Sequence, residues 1–203
     1  MKKRTVFTLA LALVILLSIT VFGDTKVMNS AKDRFQSTHA EFFYALGNQL
    51  YNDGEQDRAM AVYEQALDLE PGNEHVLNNM GMYYAAKGEY QKAEQFFLEA
   101  IEMDQYYVIA RSNLAIVYHD MGRYDEAIQQ LIVLKKIEPE NPSHVYDLGI
   151  NIADLYRTQG IGNLNEAISY FEQADNLEPG FLKSKENIIA LKEVLAEEAN
   201  THS

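Results

Sequence analysis

The sequence predicts an all-α fold, a solenoid of stacked antiparallel helix pairs set behind an apolar N-terminal segment. Three observations predict it. Chemically matched positions recur at a fixed 34-residue step, as from Gly47 to Gly81 and from Tyr84 to Tyr118, and a fixed period of this length marks a repeat architecture. Within each period the large apolar residues are spaced by three and four, which places them on one buried stripe of a helix. A glycine follows each first stripe and supplies the positive φ that a tight helix C-terminus needs.

The first element is the N-terminal segment. Lys2, Lys3 and Arg4 precede an uncharged run from Thr5 to Gly23, and Asp24 closes it. A basic tip followed by an apolar stretch is a targeting or anchoring signal, and Gly23, with Val21 two before it, supplies a usable cleavage site. The apolar part, Val6 to Phe22, is 17 residues. As a helix it would span about 25 Å, slightly short of a hydrocarbon core of roughly 30 Å. Residues 1–23 therefore read as a signal peptide or a membrane anchor. Either one leaves the basic tip on the cytoplasmic side and the body outside. Residues 24–39 read as a linker or short extra helix, and Thr38-x-x-Glu41 reads as a capping box that opens the first repeat helix.

Three units follow at the same step. Leu46-Gly47, Met80-Gly81 and Leu114-Ala115 recur, as do Leu50, Tyr84 and Tyr118. Gly54, Gly88 and Gly122 close the first helices. In the second helices Ala59, Ala93 and Ala127 precede Tyr63, Phe97 and Leu131 by one turn. The small residue lets two backbones approach and the large one fills the space beside it. Pro71 and Pro139 stop two of the second helices, because proline lacks the next donor. Gln105 stands in that place in the middle unit, where the pair Tyr106-Tyr107 suggests a turn held by aromatic packing.

These residues resemble the tetratricopeptide repeat (TPR) family, whose signature places a large residue, Leu-Gly, Tyr, Ala, an aromatic, Ala and Pro across one period. With the N-terminal segment, the chain is similar to exported or membrane-anchored bacterial members. The resemblance implies a TPR-type right-handed α-solenoid over 40–181, with units 40–73, 74–107, 108–141 and 142–181. The fourth unit is stretched: Ala167, Phe171, Ala174 and Pro179 repeat the second-helix pattern, but the step from Ala127 to Ala167 exceeds the period by six positions. The extra length divides between a longer first helix, started by Asn141-Pro142, and a wider turn at Gly160 to Asn163. Residues 182–203 read as a C-terminal capping helix and tail, which an open-ended stack requires.

Composition excludes several function classes. The chain has no cysteine, so disulfides, thiol catalysis and cysteine-held zinc are out. Three of the 17 cations sit at positions 2–4, so from Asp24 onward 14 face 30 acidic residues, a net charge of −16. A body this acidic does not suit nucleic acid or anionic lipid. No metalloprotease, nucleophile-elbow or phosphate-loop pattern is present. The expected protein is not an enzyme and needs no cofactor or metal. His75 and His119 are an ordinary pair of surface imidazoles, and Asp147 and Asp154, seven apart, read as a solvated helix face.

In the TPR family the first helices line a concave groove for peptides. The resemblance implies that this groove is lined here by Tyr44, Asn48, Tyr51, His75, Asn78, Asn79, Met82, Ile109, Asn113, Ile116, His119 and Asn151. Thioether, aromatic and amide groups suit peptide binding. Asn79, Asn113 and Asn151 read as successive rungs of an amide ladder, each offering an acceptor and two donors to a peptide backbone. The clamp by which some members grip a chaperone's C-terminal carboxylate is not matched. Tyr44, Ile109 and Asn113 stand where that clamp has cations, and an unpaired buried carboxylate would be costly. The expected function is a scaffold that binds a peptide or partner protein on the extracytoplasmic side of a membrane. The alternative is a self-assembling structural or assembly factor of an envelope complex, packing groove or solenoid end against another copy.

Overall fold

The computed structural model describes residues 25–201, and these form nine α-helices without a strand among them. In chain order they are α1 (Thr25–Asn52), α2 (Gln56–Leu69), α3 (Glu74–Ala86), α4 (Tyr90–Met103) and α5 (Val108–Asp120). Then come α6 (Tyr124–Ile137), α7 (Pro142–Gln159), α8 (Leu164–Leu177) and α9 (Ser184–Thr201). The chain divides into two compact units, one ending at Val76 and the other beginning at Leu77.

In the first unit α1 pairs with α2. Residues 25–39 are helical, but as one continuous helix with the first repeat helix rather than a linker or a separate short helix, and the capping box at Thr38 is corrected: that stretch contains neither glycine nor proline, and nothing stops the helix there. His39 Nδ1 donates to the Phe35 carbonyl at 2.7 Å within this helix. The expected signal or anchor lies outside the described residues. Among those residues, no helix is long and apolar enough to cross a membrane.

The second unit runs through the remaining pairs in succession and ends on α9. The same packing device recurs in both units. A Cβ on Gly47, Gly81 or Gly149 would lie 2.4, 2.6 or 2.8 Å from the ring of Tyr63, Phe97 or Phe171 respectively. Each glycine lets an aromatic ring from the paired helix lie against its backbone, and those rings are fully buried. The third pair exchanges both partners: Ala115 packs in one cluster with Leu131. An added methyl group there goes with a smaller facing side chain, as close packing demands.

Leu148-Gly149 stands one full period after Leu114-Ala115, and α7, starting at Pro142, begins one period after α5, starting at Val108. The start of the fourth unit is therefore in register. Its insertion lies wholly at the far end of α7, which runs to Gln159, and in the following turn. Asn141 caps α7 by accepting from the Ser143 N–H at 3.0 Å, with Pro142 at the first helical position. Gly160 ends the helix at φ 68°.

Three first-helix turns close alike. Backbone bonds Glu55 N–H to Leu50 O, Glu89 N–H to Tyr84 O and Arg123 N–H to Tyr118 O span 2.8 to 2.9 Å. Gly54, Gly88 and Gly122 take φ 81°, 74° and 70° in these turns, the left-handed geometry expected of such caps. A charge pair follows each: Glu55 with Arg58, Glu89 with Lys92 and, with the signs reversed, Arg123 with Glu126. Arg123 also reaches Glu94 at 2.7 Å and lies over the Tyr118 ring, whose hydroxyl donates to Glu94 at 3.0 Å. Burial first, and then Glu94, pushes the Tyr118 phenol up to about 12.

In the turn at 104–107 Tyr106 is 74% exposed and does not pack into the fold. Asp104 ties the turn, its side chain accepting from the Tyr106 N–H at 2.8 Å and its carbonyl from the Tyr107 N–H at 3.0 Å. At the C-terminal side, Asn187 donates to the Tyr146 hydroxyl at 3.1 Å and the Tyr156 hydroxyl donates to Glu198 at 2.5 Å. Ile188 and Leu191 of α9 pack on the Phe171 cluster, closing the last pair.

Candidate functional site

Each first helix repeats the same side-chain order because the period sets it, so one position in the repeat becomes a row across α3, α5 and α7. In the second unit one row is apolar: Met82, Ile116 and Ile150. Met82 is 37% exposed and Ile116 56%, while Ile150 is half-buried. Ile109, at the start of α5, is 55% exposed. Large apolar residues left open side by side are unusual on a helix surface that needs no partner.

A second row is polar, and its third member corrects the expectation. Asn79 and Asn113 lie one period apart, and the next step reaches Asp147, not Asn151. Asn151 lies one turn farther along α7 and is buried. Its Nδ2 donates to the Asp147 carbonyl at 2.8 Å, so its Oδ1 faces His119 Nδ1 at 3.1 Å. A carbonyl oxygen only accepts, which makes His119 Nδ1 the donor and turns its Nε2 toward Asp154 at 3.9 Å. Asn151 therefore positions His119 and is not a rung of an amide ladder.

Asn78 is corrected as well. It is buried under the rows, and its Nδ2 donates to Asn79 Oδ1 at 3.3 Å, with Met82 Sδ at 3.6 Å. Its Oδ1 accepts from Asn113 Nδ2 at 2.9 Å. Truncating Asn113 would orphan a buried acceptor, which costs about 1–3 kcal/mol. Asn113 thus carries structure as well as any role toward a ligand.

Between α5 and α7 the surface opens into a cleft of ≈ 240 Å³ whose walls include Ser112, Ile116, His119, Asp147, Ile150 and Asn151. His144 also borders it; this buried imidazole bonds Glu138 through Nε2 at 2.8 Å. Asn141 and His144 hold the Glu138 carboxyl below the usual range. Burial pushes the Asp147 carboxyl up, against a smaller opposing pull from His144 and His119. Asp147 and Asp154 therefore do not form a plain solvated face: one lines the cleft and the other pairs with Arg157 at 2.8 Å.

In the first unit Tyr44 and His75 stack with ring centroids 6.0 Å apart, and His75 lies 3.7 Å from Glu74. Asn48 accepts from the buried Tyr63 hydroxyl at 2.6 Å, so its amide is partly occupied inside the fold. Tyr51 is half-buried near the end of α1. Among the described residues no group of three or more His, Cys, Asp or Glu is arranged to hold a metal ion. Sequence reasoning passed over Asp147 and His144 as cleft residues. The step from Leu114-Ala115 to Leu148-Gly149 was the signal that could have found both.

Comparison with known proteins yields the same repeat. The chain is 31% identical over 108 residues to the TPR repeat-containing thioredoxin TTL4 of Arabidopsis thaliana, covering 53% of this chain and 16% of that protein. It spans 16 to 25% of the length of the first three curated relatives it matches. Among solved structures, the MamA RS-1 ArsTM double mutant superposes with a TM-score of 0.69 at 19% identity, over 80% of this chain and 88% of that one. The first TPR of Spaghetti (RPAP3), solved bound to the HSP90 peptide SRMEEVD, superposes with a TM-score of 0.54 at 20% identity, over 61% and 93%. Family models described as tetratricopeptide repeat match residues 40–73, 74–132 and 150–181, together more than half of the chain. With these matches and a glycine-aromatic or alanine-leucine pair in each of four units, the chain belongs to the tetratricopeptide repeat family.

Proposed function

We propose that this chain is a non-enzymatic scaffold that holds an extended segment of a partner protein along α3, α5 and α7. The observation that carries the reading is the open apolar row of Met82 and Ile116, 37% and 56% exposed, beside the amides of Asn79 and Asn113. Apolar side chains give a bound segment area to bury, and amides bond its backbone whatever its sequence. The acidic body and the lack of cations at Tyr44, Ile109 and Asn113 favour a ligand other than an acidic C-terminal tail.

The test is partner capture by affinity pull-down after crosslinking in the native envelope. The variants are Met82→Ser and Ile116→Ser, which alter open positions; the first removes the Met82 Sδ contact to Asn78, and both keep the bonds of Asn78 to Asn79 and Asn113. Capture should fall while helical content and melting stay close to wild type. Undiminished capture by the double variant would refute the groove as the binding surface. Light scattering separates the self-assembly alternative, which requires mass to rise with concentration.

In this reading the scaffold works on the extracytoplasmic side, with residues 1–23 serving as a signal or anchor whose basic tip stays inside. The absence of native cysteine makes this direct to test. A single cysteine at exposed Gln129 should react with a membrane-impermeant maleimide in intact spheroplasts or in the periplasmic fraction released from them. Labelling only after lysis would refute the location.

A further inference from the structure

We infer that the cleft between α5 and α7 takes a cationic side chain, lysine or arginine, from an extended peptide, with Asp147 as its counter-ion. The inference rests on the groove reading above and adds the chemistry of one subsite. The row that starts with two amides, Asn79 and Asn113, ends on a carboxylate. An amide serves donor and acceptor alike, whereas an ionised carboxylate only accepts and carries charge, so this rung selects where the other two do not.

Asp147 lines the cleft, and among the described residues no hydrogen bond or ion pair engages its side chain. The two imidazoles that border the same cleft are committed elsewhere. His144 Nε2 bonds Glu138 at 2.8 Å, and His119 Nδ1 donates to Asn151 at 3.1 Å.

A carboxylate partly withdrawn from water is costly until a cation reaches it. The direction in which burial moves Asp147 agrees. The surroundings suit the rest of such a side chain. Ile116 and Ile150 offer apolar cover for the aliphatic stem of lysine or arginine, leaving its charged end at the carboxylate. An anionic ligand would meet Asp147 unpaired on a body of net charge −16 from Asp24 onward, so charge complementarity favours a basic segment.

The full-length chain, in detergent micelles, is panned against phage-displayed nonapeptides. The best binder is then synthesised with lysine and with norleucine, which keeps the four-carbon stem and lacks the ammonium group, at the enriched position, and both are titrated by fluorescence anisotropy. Selected peptides should share a lysine or arginine next to an apolar residue. Norleucine should weaken binding to the wild type about tenfold, the scale of a charge-assisted hydrogen bond. Asp147→Asn should abolish that difference, Asp147→Lys should select an acidic residue at the same position, and the exposed control Asp125→Asn should behave as wild type. Peptides that bind without a cation preference, or a preference that survives Asp147→Asn, overturn the cation subsite and leave the groove standing. Failure to select any peptide overturns the groove reading and this inference with it. The lysine-norleucine comparison on the wild type needs no variant to fold.

Discussion

Replacing Gly81 with alanine should destabilise the second unit, and replacing Phe97 with leucine should cost much less in that chain than it does in the wild type. A Cβ at Gly81 would sit 2.6, 2.8 and 3.0 Å from three carbons of the Phe97 ring, and that ring is completely buried. Overpacking of this kind costs roughly 1–3 kcal/mol. Alanine in place of a helical glycine returns about 1 kcal/mol, so Gly81→Ala alone should lose about 1 kcal/mol. Phe97→Leu alone removes buried ring atoms and should lose about 1–2 kcal/mol. In the double variant the new methyl group occupies room that the ring vacated, as Ala115 and Leu131 do one unit later. Its loss should fall short of the sum by about 1 kcal/mol, a coupling typical of residues in contact. Urea unfolding of the four chains, followed by far-UV circular dichroism, measures the cycle. Strict additivity, or a Gly81→Ala chain as stable as wild type, would refute the claim that glycine is required by the ring.

The Tyr118 phenol, ordinarily ionising near 10.0, is pushed up to about 12. The folded state favours its neutral form, so its contribution to stability is whole below pH 10 and is lost as pH rises through about 12. Tyr118→Phe should remove one late-ionising tyrosine from an alkaline absorbance titration. Asn141→Ala deletes the side-chain cap of α7 and should cost about 1 kcal/mol, read as a lower unfolding midpoint; Asn141→Ser should recover most of it. Burial raises the Asp147 carboxyl, so its ionised form opposes folding above the ordinary carboxylate range. Asp147→Asn should therefore raise the melting temperature at neutral pH, and that gain should vanish as acid protonates the native aspartate.

Much of the fold was legible because the features that build it are periodic and local. Glycine at 54, 88 and 122 answers a backbone need, and Ala59, Ala93 and Ala127 answer a packing need, so both are visible as residue types at a fixed step. The start of α1 was misjudged because Thr38-x-x-Glu41 has the composition of a cap, while a cap requires the preceding chain to leave the helix. Nothing between Thr25 and Leu46 makes it do so. The polar site was read less well for a related reason. Taking Asn151 as the third rung slid the register of the fourth unit's first helix by one helical turn and promoted Asn151 over Asp147. A shift of one turn keeps a residue near the same face, so amphipathic pattern alone does not expose the error. The step from Leu114-Ala115 to Leu148-Gly149 carries the correct register, and the contact between Gly149 and the Phe171 ring fixes it. Burial of Asn78 and the occupied amide of Asn48 were likewise illegible, since spacing places a side chain on a face without saying which other side chain lies across it.

The central claim is that a partner lies along α3, α5 and α7, and a photocrosslinking amino acid placed singly at Met82, Ile116 or Gln129 tests it most directly in living cells. Met82 and Ile116 lie on the open apolar row, and Gln129 is exposed on α6. Illumination should yield the same partner adduct from Met82 and Ile116 and none from Gln129. An adduct from Gln129 alone, or equal adducts from all three positions, would contradict the groove as the working surface.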